Sequence, residues 1–186
     1  MKIDFYTQIH KALRRLLFNL SIKIGAADWT NPQICKEIYD ELLQLIALLK
    51  VHAHHEEKYF HPLIAKKLKK EEMELHHEHQ SQDQLLEELI ALTTNKKEKN
   101  NDQGLKVYRA FNRFIAYYLE HLEKEESIMP ILIERSTIDE LLSALNGLIQ
   151  SFTPQELNDS LVYMLPALNP QERANFTQVA PKSSAK

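Results

Sequence analysis

Two histidine–glutamate pairs, His52 with Glu56 in VHAHHEEKYFHP and His121 with Glu125 in HLEKEESIMPIL, have the residue types and spacing to do chemistry. Four residues along an α-helix return to within about 40° of the starting direction and rise about 6 Å, so both members of a pair point to one centre. Imidazole nitrogens beside carboxylates suit iron, manganese or zinc, and two glutamates able to bridge suit a pair of metals. Two further histidines, His10 and His79, fall on apolar stripes of their own. A lone pair of this kind is ordinarily a surface hydrogen-bonding pair. Two of them on core stripes, joined by two in-stripe histidines, point to a metal centre, because buried carboxylates without a metal or other partner are costly.

The remaining polar groups sort by helical register. His54 falls off the stripe, His61 and His77 are expected at the surface or behind the ligands, and His55 and His76 lie at the boundary. Asp83, four residues after His79, is expected to orient a ligand. Glu57 and Glu126 sit about 100° round the helix from the inward pairs, which predicts a solvated role. Register leaves open whether His76 or Glu126 also ligates. Tyr59 and Tyr118 are expected to line the pocket. A ferritin-like di-iron bundle needs paired Glu-x-x-His elements, and only Glu74-x-x-His77 occurs, off the stripe. No His-Glu-x-x-His is present, so a zincin protease is not supported.

The elements that must carry these residues are helical throughout. Three glycines among 186 residues and long proline-free stretches favour an all-α protein. A net charge of −3 argues against nucleic acid. The single cysteine, Cys35, excludes an internal disulfide and a multi-cysteine metal site. Asp4 and His10 interrupt any secretory core, and no apolar run reaches membrane-spanning length, which predicts a cytoplasmic protein.

Four amphipathic helices are predicted. The first runs from about Ile3 to Ile24, ended by Gly25. The second starts at Asn31-Pro32 and carries Ile38, Leu42, Leu45, Leu49, His52, Glu56 and Tyr59 inward, with a kink expected at Pro62. KKLKK reads as solvated surface. The third spans roughly Glu72 to Thr93, and TTNKKEKNNDQG, closed by Gly104, is the clearest loop. The fourth runs from about Leu105 to Glu134 with Tyr108, Phe111, Phe114, Tyr118, His121, Glu125, Ile128 and Leu132 inward. An up-down-up-down four-helix bundle over residues 1–135 follows. Residues 136–180 form a helical extension with capping signals at Thr137, Thr153 and Asn169, packed on the bundle or on a partner subunit of a homodimer. Residues 181–186 read as a disordered tail. HAHHEEKYFHPLI and HLEKEESIMPILI share His-x3-Glu-Glu, an apolar patch and a proline, an internal two-fold repeat in which each helix pair supplies half a site.

The segments IHKALRRLL, HAHHEEKYFHPLI, EHQSQDQLLEEL and HLEKEESIMPIL, over about residues 1–135, resemble the hemerythrin-like, HHE cation-binding family. The resemblance implies a four-helix bundle with a non-haem di-iron centre and carries over His10, His52, Glu56, His79, His121 and Glu125 as ligands. It implies oxygen or nitric oxide as the small ligand. Oxygen-carrying members have another histidine where Leu75 stands here. The four-histidine, two-glutamate set is more similar to bacterial members linked to nitric oxide, oxygen response or iron-centre repair, although the cysteine pair of repair proteins is missing from this sequence. A di-iron oxidoreductase and a metal-dependent regulatory interaction module are the alternative readings.

Overall fold

The computed structural model describes residues 4–94 and 100–179. Its elements are α1 (Thr7–Ala26), α2 (Pro32–Tyr59), α3 (His61–Lys67), α4 (Lys69–Thr94), α5 (Asn101–Arg135), α6 (Ile138–Ser151), α7 (Pro154–Met164), a 3-10 turn (Leu165–Ala167) and α8 (Pro170–Val179). Among the described residues there is no strand, and no helix is long and apolar enough to cross a membrane. Helix α1 packs on α2 and α5, and α4 packs on the same two, which closes a ring of four long helices. His10 and His79 lie in the first halves of α1 and α4, and His52 and His121 in the second halves of α2 and α5. Their meeting at one level is what an up-down-up-down bundle requires.

Local signals set the boundaries. Asn31 caps α2 by accepting from the N–H groups of Gln33 and Ile34, with Pro32 in the first turn. The proline effect is sharper than a kink. Helix α2 stops at Tyr59, Phe60 donates to the Glu56 carbonyl, and α3 restarts with Pro62 in its first turn. Pro130, its counterpart in the repeat, lies inside the unbroken α5. Within KKLKK, Leu68 is buried and Lys67 half-buried against Glu140, while Lys66, Lys69 and Lys70 are exposed.

The polar loop ends earlier than the sequence predicts. Asn100 caps α5 through the Gln103 N–H, so Gly104 is helical and buried rather than a loop terminator. The reason for a glycine there is contact: a Cβ on Gly104 would stand 2.1 Å from Trp29 Cδ1. The Trp29 indole, itself buried, donates from Nε1 to the Ile24 carbonyl at 3.2 Å and plugs that end of the bundle. Tyr108, predicted inward, is 36% exposed and lies over Gly25, where the first helix continues one residue further to Ala26.

The core is divided in two. One apolar cluster is built from Leu13 to Ile24 of α1, Ile38 to Leu49 of α2, Leu86 and Leu89 of α4, and Val107 to Leu122 of α5. The other gathers Phe5, Tyr6, Phe60, Leu63, Ile64, Leu75, Ile128, Met129 and Leu132, with Leu141 of α6. The histidines and glutamates on the stripes fall in sequence between these clusters on α1, α2 and α4, and on α5 they start at the cluster boundary, where His121 adjoins Leu122. They form a polar layer closed by hydrocarbon on both sides.

The C-terminal helices return to the bundle. Helix α6 packs on α2 and α3, and α7 with the 3-10 turn packs on α1. Reciprocal capping boxes at Thr137–Glu140 and Thr153–Glu156 start α6 and α7, and Asn169 and Glu172 exchange the same two bonds ahead of α8. Residues 181–186 lie outside the described residues.

Candidate metal centre

The six inward side chains meet in two overlapping groups. His10, His52, Glu56 and Glu125 offer ligand atoms within 4.8 Å of one another, and so do Glu56, His79, His121 and Glu125. All six residues are buried. The two glutamates belong to both groups, and each divides its oxygens between them. Glu56 turns Oε1 to His52 Nε2 at 3.0 Å and His10 Nε2 at 3.8 Å, and Oε2 to His79 Nε2 at 3.5 Å. Glu125 turns Oε2 to His10 Nε2 at 3.3 Å and Oε1 to His121 Nε2 at 3.4 Å. A carboxylate that splits its oxygens in this way is set to bridge two cations.

Bonding within the protein leaves these atoms unsatisfied. His10 Nε2, His52 Nε2 and all four oxygens of Glu56 and Glu125 are buried without a hydrogen-bond partner. Orphaned buried polar atoms are rare in native proteins and call for an ion or water. Outer carboxylates fix the ring orientations. Glu126 faces His10 Nδ1 at 2.8 Å, Glu57 faces His79 Nδ1 at 3.3 Å, and Glu78 faces His121 Nδ1 at 2.9 Å. With each Nδ1–H donated outward, each Nε2 presents a lone pair inward. The Nε2 atoms of His79 and His121 then oppose each other at 3.1 Å, an arrangement a cation between them would turn from repulsive to bonding. The donor set and its geometry therefore fit a metal pair held by imidazole and carboxylate.

The electrostatics run the same way. Burial opposes a charge on His10, but Glu125, Glu126 and Glu56 overcome it and raise its pKa to about 10. His121 is likewise buried against its charge, yet Glu125, Glu78 and Glu56 raise it to about 9. Burial works against ionised Glu56 and Glu125 as well, and the surrounding histidines still hold both below the ordinary carboxylate value. Glu126, opposed by partial burial, is drawn down to about 2 by His10 and Arg14.

Three expectations follow from these groups. In protein stripped of metal by chelation, His10 and His121 keep their protons at neutral pH, so a divalent ion must displace them. Apparent metal affinity should climb from pH 6 to about 9–10, with proton release visible as buffer-dependent binding heat at pH 7. The stripped protein should lose stability over that rise. A raised histidine stabilises fully below its unfolded value of about 6.5 and ceases to do so as pH passes its folded value. An affinity flat from pH 7 to 9 would contradict both statements. Glu126→Ala should keep the metal stoichiometry but weaken metal affinity by about 10–100-fold, since it frees the His10 ring. Competition with a chromophoric chelator reads this directly.

Several roles expected from register are corrected. Glu57 and Glu126 are not simply solvated; they orient His79 and His10. Asp83 does not orient a ligand; it is 58% exposed and pairs with Lys50 at 3.6 Å. Tyr59 lies on the Gly147 backbone of α6 rather than in the pocket, whereas Tyr118 is buried with its ring 5.9 Å from that of His121. His54, His76 and His77 are exposed, and His76 Nδ1 shares the Glu57 carboxylate at 3.3 Å.

Register missed Glu78, placed Tyr6 on the inward stripe of the first helix without a role, and put His61 at the surface or behind the ligands. Glu78, beside His79 in sequence, reaches across to α5 and is also paired with Lys124. Tyr6, fully buried, sits with its ring 5.1 Å from that of His10 and its hydroxyl unpartnered. Its pKa is pushed well above the usual phenol value by burial and by Glu125 and Glu56, so it stays a proton donor. His61 is 4% exposed, stacked on His79 at 5.3 Å, with Nδ1 3.5 Å from Glu72. Burial pushes its pKa down, which keeps it neutral.

The model of the hemerythrin HHE cation-binding domain matches residues 1–129, with a second match over residues 73–153. No curated protein and no solved structure matches. With four inward histidines, two shared glutamates and a helical bundle around them, the chain belongs to the hemerythrin HHE cation-binding domain family.

Proposed function

We propose that this protein holds two iron ions through His10, His52, Glu56, His79, His121 and Glu125, and that the pair binds oxygen or nitric oxide. The observation that carries the reading is the division of Glu56 and Glu125 between two ligand groups. A bound iron pair supplies redox change and coordination positions for a small molecule. The protein's own part is to fix that chemistry. Glu56 and Glu125 hold the two positions together, and the imidazoles of His79, His121 and His10 present neutral nitrogens once Glu57, Glu78 and Glu126 have set their tautomers. The two apolar clusters close the layer on its two sides along the bundle and lower its dielectric.

The six protein ligands comprise four nitrogens and two bridging carboxylates. Each metal is therefore offered two imidazoles and two carboxylate oxygens, fewer than the six donors of an octahedral ion. That shortfall supports small-molecule binding over a purely structural role. Manganese or zinc would suit the same donors, so the metal itself is part of the test. Anaerobic loading with ferrous iron should give two irons per chain and an optical change on adding oxygen or nitric oxide. Two zinc ions bound in preference to iron, with no optical response in the iron form, would contradict the reading.

A further inference from the structure

A cleft of about 200 Å³ opens between α2 and α4 and reaches the metal layer from the side. Its lining runs from exposed Lys50 and Asp83, which pair at 3.6 Å, past Ala53 and Leu86 to buried Gln82 and His79. At about 30 Å³ per water, it has room for several waters or one small anion. His79 is one of the six proposed ligands, so the inner end of the cleft borders the metal layer at the His79 ring, beside Glu57, which faces its Nδ1. Gln82 is 5% exposed, and its side-chain Nε2 is buried without a hydrogen-bond partner. A buried amide donor with nothing to donate to is costly unless a ligand or water completes it.

From these features we propose that the α2–α4 cleft is the access route for the small molecule that binds the metal pair, and that the Gln82 amide is its hydrogen-bond donor. The proposal rests on the metal-centre reading above and adds the route and the positioning residue. Ala53 keeps the passage open because α2 presents no side chain beyond Cβ there. Leu49, Ala53 and Leu86 give the walls their apolar part, and Lys50, His54, Glu57, Gln82 and Asp83 their polar part, a mixed lining that suits a small neutral or singly charged molecule. Gln82 lies one turn along α4 from His79, on the side toward the first apolar cluster, so both face the same end of the cleft.

Azide added to the ferric protein is the probe. Ala53→Cys, made with Cys35→Ala, is loaded with iron first and then labelled with a benzyl methanethiosulfonate, so that blockage follows assembly. The label should slow azide association and dissociation together, by about tenfold or more, with the dissociation constant and iron content nearly unchanged, as a gate requires. Gln82→Leu should instead raise the azide dissociation constant about fivefold, the worth of one hydrogen bond, through faster release. Two irons bound, with azide rates insensitive to the label, would overturn the route. A Gln82→Leu protein with unaltered azide affinity would overturn the donor assignment. Unmodified protein that takes up no iron pair would overturn the metal-centre reading, and the proposal with it.

Discussion

Glu56→Ala should abolish binding of both metal ions, whereas His52→Ala should cost one of them. The difference follows from the sharing of ligands. His52 belongs only to the group with His10, but Glu56 belongs to both groups and gives one oxygen to each. Its removal leaves His10 and His52 with Glu125 alone, and His79 and His121 with Glu125 alone. Glu125→Ala should behave as Glu56→Ala does. Metal analysis after gel filtration would read two equivalents for the parent, about one for His52→Ala and close to none for either glutamate variant. Equal losses from His52→Ala and Glu56→Ala would mean that the carboxylates do not bridge. Glu56→Ala should also unsettle the stripped protein, because it leaves buried, charge-bearing imidazoles with one carboxylate fewer. Breaking a buried ion pair commonly costs about 3–5 kcal/mol.

The second large effect lies at the far end of the bundle. Gly104→Ala should destabilise the protein while leaving metal uptake intact. The new methyl carbon would fall 2.1 Å from Trp29 Cδ1 and 2.5 Å from its Nε1, so the indole must move. Overpacking of this kind costs about 1–3 kcal/mol, and the Nε1 bond to Ile24 is worth about 0.5–1.5 kcal/mol more. Alanine's better helix propensity returns at most about 1 kcal/mol. A net loss of roughly 2 kcal/mol lowers Tm by about 4–8 °C in a chain of this length. Calorimetry checks it, and an unchanged or higher Tm would show that Trp29 is free to swing away.

How much of this was open to reading depended on whether a residue's position is set by local register. His10, His52, Glu56, His79, His121 and Glu125 all sit on uninterrupted stretches of helix, so 3.6-residue periodicity places them on one stripe with Leu13, Leu49, Leu86 and Phe114. The capping boxes at Thr137 and Thr153 were equally legible, because their partners lie three residues away. His61 was not. Nine residues past His52 on a continuous helix, it would stand about 180° away and face solvent. The chain instead breaks at Phe60, held by stacking on Phe5 at 4.3 Å, and the restart in α3 turns His61 inward. A proline signals that a helix will be disturbed, but not through what angle.

The outer carboxylates were hidden for a different reason. Glu57, Glu78 and Glu126 look solvated on their own helices, and they are in fact partly exposed. Their partners lie on neighbouring helices: Glu126 of α5 meets His10 of α1, and Glu78 of α4 meets His121 of α5. Only the packing of one helix on another brings those pairs together. Asp83 shows the converse, since a four-residue spacing from His79 placed it well in register yet Lys50 holds it at the surface. Gly104 reads as the end of a polar loop until Trp29, far away in sequence, is seen to need the space.

The central claim is that two metal ions share Glu56 and Glu125. Its most direct test is the magnetic coupling between the irons in the loaded, oxidised protein, measured by Mössbauer spectroscopy in an applied field alongside iron content. Two irons per chain with strongly coupled spins are predicted. One iron per chain, or two whose spins are independent, would contradict it.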